Sequence, residues 1–158
     1  RMTPATAATG WELRVTRFID ARPESVWPVM TGRLAEWWCP LPWRTEIVEH
    51  DWRAGGRSAI VMHGPDGERH PHDGIFLDVV PGVRFVMTDA FVVADGGQYM
   101  PADPFMVGSW TLAPEGEGTR YTATARHWDE AMMTRHAEMG FEQGWGVCAD
   151  QLKALCEA

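Results

Sequence analysis

The chain ends on Ala125-Arg126-His127-Trp128, Met139-Gly140-Phe141-Glu142-Gln143-Gly144-Trp145-Gly146 and Gln151-Leu152-Lys153-Ala154-Leu155, which together read as a last strand running into one long helix. Met133, Ala137, Phe141, Trp145, Cys148, Leu152 and Leu155 recur at steps of three and four, so a helix places them on one face. Beside that stripe Gly140, Gly144 and Val147 form a second row with almost no side chain. A strongly apolar stripe next to a bare groove predicts a helix that lies on a sheet and leaves room. The expected room is a ligand cavity beneath Gly140 and Gly144.

Outward from this segment, the rest of the chain supplies the sheet. Trp11 to Asp20 alternates apolar and polar residues and reads as a first strand. Pro23 suits the first turn of a short helix to Met30, and a second short helix over Arg33–Trp38 stops before Cys39-Pro40. Strands are expected over Arg44–Asp51, Arg57–His63, Glu68–Val79 and Val83–Phe91, separated by Gly-Gly, Pro-Asp-Gly and Pro-Gly turns. A loop covers Ala94–Pro104, and strands follow over Phe105–Leu112 and Thr119–His127. One strand, two short helices, about six strands and one long helix predict an α+β fold. An antiparallel sheet curved around a single helix covers all the apolar faces.

Alternation assigns faces within each strand. Ser58, Ile60 and Met62 share one, as do Phe85, Met87 and Asp89. Gly108, Trp110 and Leu112 share another, as do Tyr121, Ala123, Ala125 and His127. The inward rows mix very large groups with very small ones. Interiors are normally filled to crystal density, so the small residues are expected to border a space that holds a guest.

Composition bounds the function. At 158 residues, 45% hydrophobic and 23% charged, the chain fits one soluble domain over 11–158, with 1–10 a disordered or expression-derived lead-in. Nine Trp and nine Met suit apolar pocket walls. The net charge of −8, without a basic run, argues against nucleic acid or an anionic membrane as partner. No apolar run is long enough to span a bilayer, and three cysteines without metal-type spacing fit a reducing, cytoplasmic setting.

Several segments together resemble a known family. Trp37-Trp38 before a proline, Asp51-Trp52-Arg53-Ala54-Gly55-Gly56, Gly64-Pro65-Asp66-Gly67-Glu68 and Asp78-Val79-Val80-Pro81 occur in that order. Thr88-Asp89, Gly118-Thr119-Arg120, and Met139-Gly140-Phe141 with Gly144-Trp145 follow. The ordered set, from about residue 12 to 156, resembles the SRPBCC superfamily. Within it the nearest branch is similar to the C-terminal domain of the activator of the ninety-kilodalton heat-shock protein's ATPase, often grouped with polyketide cyclases. The resemblance implies a helix-grip fold with an apolar cavity between sheet and C-terminal helix. It leaves activity open, because that scaffold carries binders, cyclases, dehydratases and co-chaperone domains. The activator's separate chaperone-binding domain has no counterpart in these residues, which argues against a co-chaperone role.

Among polar residues, His127 and His136 are candidates to border one end of the cavity, where imidazole can donate, accept or move protons. Asp89 faces inward and could serve as a base. His70, His72 and Asp73, with His63 across a hairpin, raise a metal site, but Pro71 and the turn-rich surroundings favour a solvated edge. Cys148 reads as a core thiol. No nucleophile elbow, phosphate-cradling loop or nucleotide fingerprint is present, so no cofactor is expected.

The expected function is binding of a small hydrophobic molecule, by a monomer or homodimer. Trp38, Met62, Met87, Trp110, Tyr121, Met133, Phe141 and Trp145 are expected at the ligand, with His127 and His136 orienting it. A cyclase, dehydratase or hydrolase acting on a polyketide-like or aromatic substrate, and a protein-interaction module, stay open as alternatives.

Overall fold

The computed structural model describes residues 11–158, and the expected lead-in, 1–10, lies outside the described residues. Strand β1 (Glu12–Ile19) leads into helix α1 (Pro23–Gly32), with Pro23 in the first turn and Glu24 at the positive end of the helix dipole. Helix α2 (Leu34–Trp37) ends before the extended Trp38. Then come β2 (Arg44–His50), β3 (Arg57–His63), β4 (Arg69–Val80), β5 (Arg84–Thr88), β6 (Phe91–Val93), β7 (Tyr99–Pro101), β8 (Met106–Glu115) and β9 (Gly118–His127). Helices α3 (Glu130–Glu138) and α4 (Phe141–Glu157) finish the chain.

Seven strands form one antiparallel sheet in the order β1-β9-β8-β5-β4-β3-β2. The curved sheet packs against α4, the α+β arrangement of a helix-grip fold. No described helix is long and apolar enough to cross a membrane.

The segment expected to be a loop over 94–104 instead completes a ribbon of β6 and β7. Gly96 and Gly97, both at positive φ, turn the chain, and Ala94 N–H donates to the Gln98 carbonyl to close the hairpin. The Tyr99 hydroxyl donates to the Gly55 carbonyl at 2.6 Å and ties the ribbon to the turn before β3.

The single long helix is also corrected. The chain breaks at Gly140, whose φ of +94° admits glycine and disfavours other residues. Asp129 caps the first part by accepting from Met132 N–H at 2.8 Å. The apolar stripe is thereby split: Phe141, Trp145, Cys148 and Leu152 are buried on α4, while Met133 is half-buried and Ala137 exposed on α3.

The glycine row does not roof a hollow. A methyl group at Gly140 or Gly144 would meet nothing within 4 Å, and Val147 is 41% exposed. That row faces solvent because the buried stripe fixes α4's rotation. Only Gly146 turns towards the sheet, where a Cβ would lie 3.1 Å from the Arg17 guanidinium of β1. Beneath α4 the interior is solid, with Val26, Met30, Trp37, Tyr121 and Leu152 fully buried and Trp37 Nε1 donating to the Met30 carbonyl.

Two glycine substitutions should therefore move stability in opposite directions. Gly144→Ala should stabilise the fold by about 0.5–1 kcal/mol, because it removes helix-interior backbone freedom and fills open space. Gly140→Ala should destabilise it by about 1–2 kcal/mol, because alanine is strained at that φ. Urea unfolding of the two variants measures both, and a loss of stability in Gly144→Ala would contradict the solvent-facing row.

Candidate ligand-binding cavity

The cavity lies beyond the solid half, over β3, β4, β5 and β8. It has a volume of about 300 Å³, at the lower end of the range used by small-molecule sites. Strand β3 contributes Ser58, Ile60 and Met62, β4 contributes His72 and Phe76, and β5 contributes Phe85 and Met87. Asp89, just past β5, and Phe105, Met106 and Trp110 continue the wall. Leu34 and Trp38 close one side, and His136, Met139 and Trp145 reach over from the helices.

An aromatic partition separates this space from the solid core. Phe85 and Trp110 stack at 4.9 Å and 18°, and Trp110 and Trp145 stack at 5.2 Å and 17°. Trp38 meets Trp110 and Trp145 edge-on at 5.6 and 5.2 Å. Gly108 makes the stack possible, because a Cβ there would sit 2.8 Å from the Trp110 ring. The small residue of β8 thus seats a tryptophan of its own strand rather than a guest.

A bulge at Leu77 lets β4 present both Phe76, opposite Met87, and Val79, opposite Phe85, to the interior. Phe76 stacks on Trp52 at 4.7 Å, and His50 meets both rings edge-on. His50 Nε2 lies 3.3 Å from the Ser58 hydroxyl. Burial pushes His50 down to about 4, so it is neutral at pH 7.

The polar end is a chain of three groups. The Trp11 carbonyl accepts from His127 Nδ1 at 3.0 Å, and His127 Nε2 lies 2.8 Å from His136 Nδ1. Burial first, then the neighbouring His127 and Arg135, push His136 down to about 4. Phe105 and Phe141 flank its ring at 4.9 and 5.0 Å. Also in the wall, Asp89 Oδ1 accepts from Phe105 N–H at 2.8 Å and Met106 N–H at 3.3 Å, which fixes the start of β8. Burial, and then His70, lower the pKa of His72, while Asp89 opposes the shift.

Trp38, Met62, Met87, Trp110, His136 and Trp145, all expected at a ligand, stand on the cavity wall, as does Asp89. Four others stand elsewhere. Tyr121 is fully buried on the solid side, edge-on to Trp37 at 6.2 Å. Its inward face follows from alternation, but β9 lies at the end of the sheet that α4 covers. Phe141 is buried behind the wall, against Trp145 at 4.5 Å. Met133 is carried off by the helix break, and His127 sits one hydrogen bond behind His136.

The residues weighed for a metal go to separate partners. His63 meets Glu46 at 2.8 Å, His70 lies against Trp43, and Asp73 pairs with Arg57 at 2.7 Å. Of the three histidines weighed, only His72 lines the cavity. Cys148 is buried, and burial pushes its thiol pKa far up.

Several wall residues, among them Leu34, His50, Phe105 and Met139, were not anticipated. Phe85 and Ile60 shared an anticipated inward face, so alternation carried a signal for them. His50 and Met139 carried none, because their placement depends on β2–β3 pairing and on the helix break.

These features define a helix-grip protein with an aromatic-walled cavity. The chain belongs to the family described as Activator of Hsp90 ATPase homolog 1-like protein, which matches residues 20–157. A protein of Nitrosomonas europaea is 36% identical and superposes with a TM-score of 0.83, over 92% of this chain and 93% of that one. One from Arthrobacter aurescens is 26% identical with a TM-score of 0.79, over 94% and 87%. The AHSA1 protein of Silicibacter pomeroyi, 23% identical with a TM-score of 0.67 over 90% and 95%, shares the fold. No curated protein matches the chain significantly.

Two predictions test this site. His50 and His136 are held near 4 in the fold, against an ordinary imidazole value of 6.5. The unfolded chain takes up protons between those values that the fold refuses, so stability is full above about 6.5 and declines as pH falls towards 4. The carboxylates lowered by their partners, Glu36, Glu46, Glu115 and Glu157, lose their contribution only below about 4.5. The melting temperature should therefore drop between pH 6.5 and 4.5, with a shallower slope in the His50→Phe/His136→Phe double variant. Secondly, among the described residues the Tyr121 hydroxyl is buried without a hydrogen bond of good geometry, near the likewise unpaired Trp110 indole N–H. Tyr121→Phe should be neutral or stabilising by up to about 1 kcal/mol in thermal unfolding.

Proposed function

We propose that the chain reversibly binds a small, mostly apolar molecule in the cavity between β3, β4, β5, β8 and the α3–α4 junction. The observation that carries this reading is a cavity of about 300 Å³ walled by stacked aromatics and methionines. Rigid rings hold one wall open, and Met62, Met87, Met106 and Met139 adapt to the guest's outline. Such a site gives up apolar surface readily and asks for few polar contacts.

Proton-transfer catalysis is the second reading, favoured by the His127–His136 pair. A base with a pKa near 4 lies far from the operating pH, so its proton-transfer efficiency near neutrality is low. Binding therefore ranks above turnover.

Native mass spectrometry of the freshly purified protein should show a co-purified small molecule. A neutral two-ring aromatic probe at 100 times its Kd should raise stability by about 2.7 kcal/mol. Met87→Trp fills the cavity from the β5 wall and should abolish that gain while the far-UV circular dichroism is kept. Absence of both a co-purified molecule and any probe-induced stabilisation overturns the reading.

A further inference from the structure

The three-group chain at the polar end fixes proton positions. A carbonyl oxygen can only accept, so His127 Nδ1, 3.0 Å from Trp11 O, carries the proton. With a single ring proton on His127, held at Nδ1, its Nε2 offers a lone pair and His136 Nδ1 at 2.8 Å donates to it. Neutral His136 has one ring proton, now committed at Nδ1. Its Nε2 is left as a lone pair, has no hydrogen-bond partner among the described residues, and is not sealed among the buried unpaired atoms. His136 itself stands on the cavity wall.

We propose that His136 Nε2 is a fixed hydrogen-bond acceptor for the guest, and that the cavity selects neutral hydroxylated aromatic molecules over ethers and carboxylates. The inference rests on the cavity being a binding site, as proposed above. An ether or ketone oxygen would set lone pair against lone pair. A carboxylate would do the same, and would also face the Asp89 carboxylate in the same wall. Arg135 is exposed, lies over the Phe105 ring at 4.9 Å and is not part of the wall. A phenolic O–H satisfies Nε2, while the ring behind it meets Phe105, Trp110 and Trp145.

Protonating His136 to reverse the preference is unfavourable. Its burial and the adjoining His127 and Arg135 all oppose the charge.

Isothermal titration at pH 7 with 2-naphthol, 2-methoxynaphthalene and 2-naphthoate, three probes of one ring system, tests the preference. The naphthol should bind roughly three- to tenfold tighter than the methyl ether, the worth of one hydrogen bond, with the naphthoate weakest. In His136→Phe the naphthol-to-ether ratio should fall to about one. Independently of any ligand and of that variant's folding, ¹⁵N NMR of the wild-type protein should show both rings protonated at Nδ1 and His136 Nε2 unprotonated. Equal binding of naphthol and ether, or a proton on His136 Nε2, overturns the acceptor assignment and leaves the cavity reading standing. Failure of all three probes to bind overturns the cavity reading, and the acceptor role falls with it.

Discussion

Phe85, Trp110 and Trp145 stack face to face across three elements, and Trp38 closes on Trp110 and Trp145 edge-on. Contacts of this kind contribute roughly 0.5–1.5 kcal/mol each beyond the area they bury. The partition they form lets one sheet serve two ends. On one side α4 seals β1 and β9 with tight apolar packing; on the other the sheet curves away from the helices and stays open.

The architecture was legible because its signals are local and redundant. Alternation placed Ser58, Ile60, Met62, Phe85, Met87 and Trp110 on inward faces, and the structure puts them there. Turn residues located most strand ends within a residue or two. The helix stripe marked Phe141, Trp145, Cys148 and Leu152 as buried, which they are.

Position along the sheet was not legible. Tyr121 and Trp110 sit on inward faces of neighbouring strands, yet only Trp110 reaches the cavity, because depth depends on where α4 lies. The break at Gly140 was equally hidden: glycine inside an apolar stripe reads as groove as readily as hinge, and only its positive φ decides. The ribbon of β6 and β7 needed the Tyr99–Gly55 tie, a contact between residues 44 positions apart. The pairing of His127 with His136 was anticipated only as proximity; its direction comes from the Trp11 carbonyl, which no spacing rule exposes.

The interruption between α3 and α4 divides responsibility for the binding chamber. His136 is carried by a helix anchored through Asp129, whereas Trp145 belongs to one anchored along β1, with Met139 (69% exposed) at their junction. Polar and aromatic walls are thus mounted on separate rigid pieces. Sequence drift in the shorter piece can alter which functional group a guest must offer while the tryptophan stack, and with it the fold, is left in place. Homologues on this scaffold could accordingly diverge in chemistry without diverging in shape.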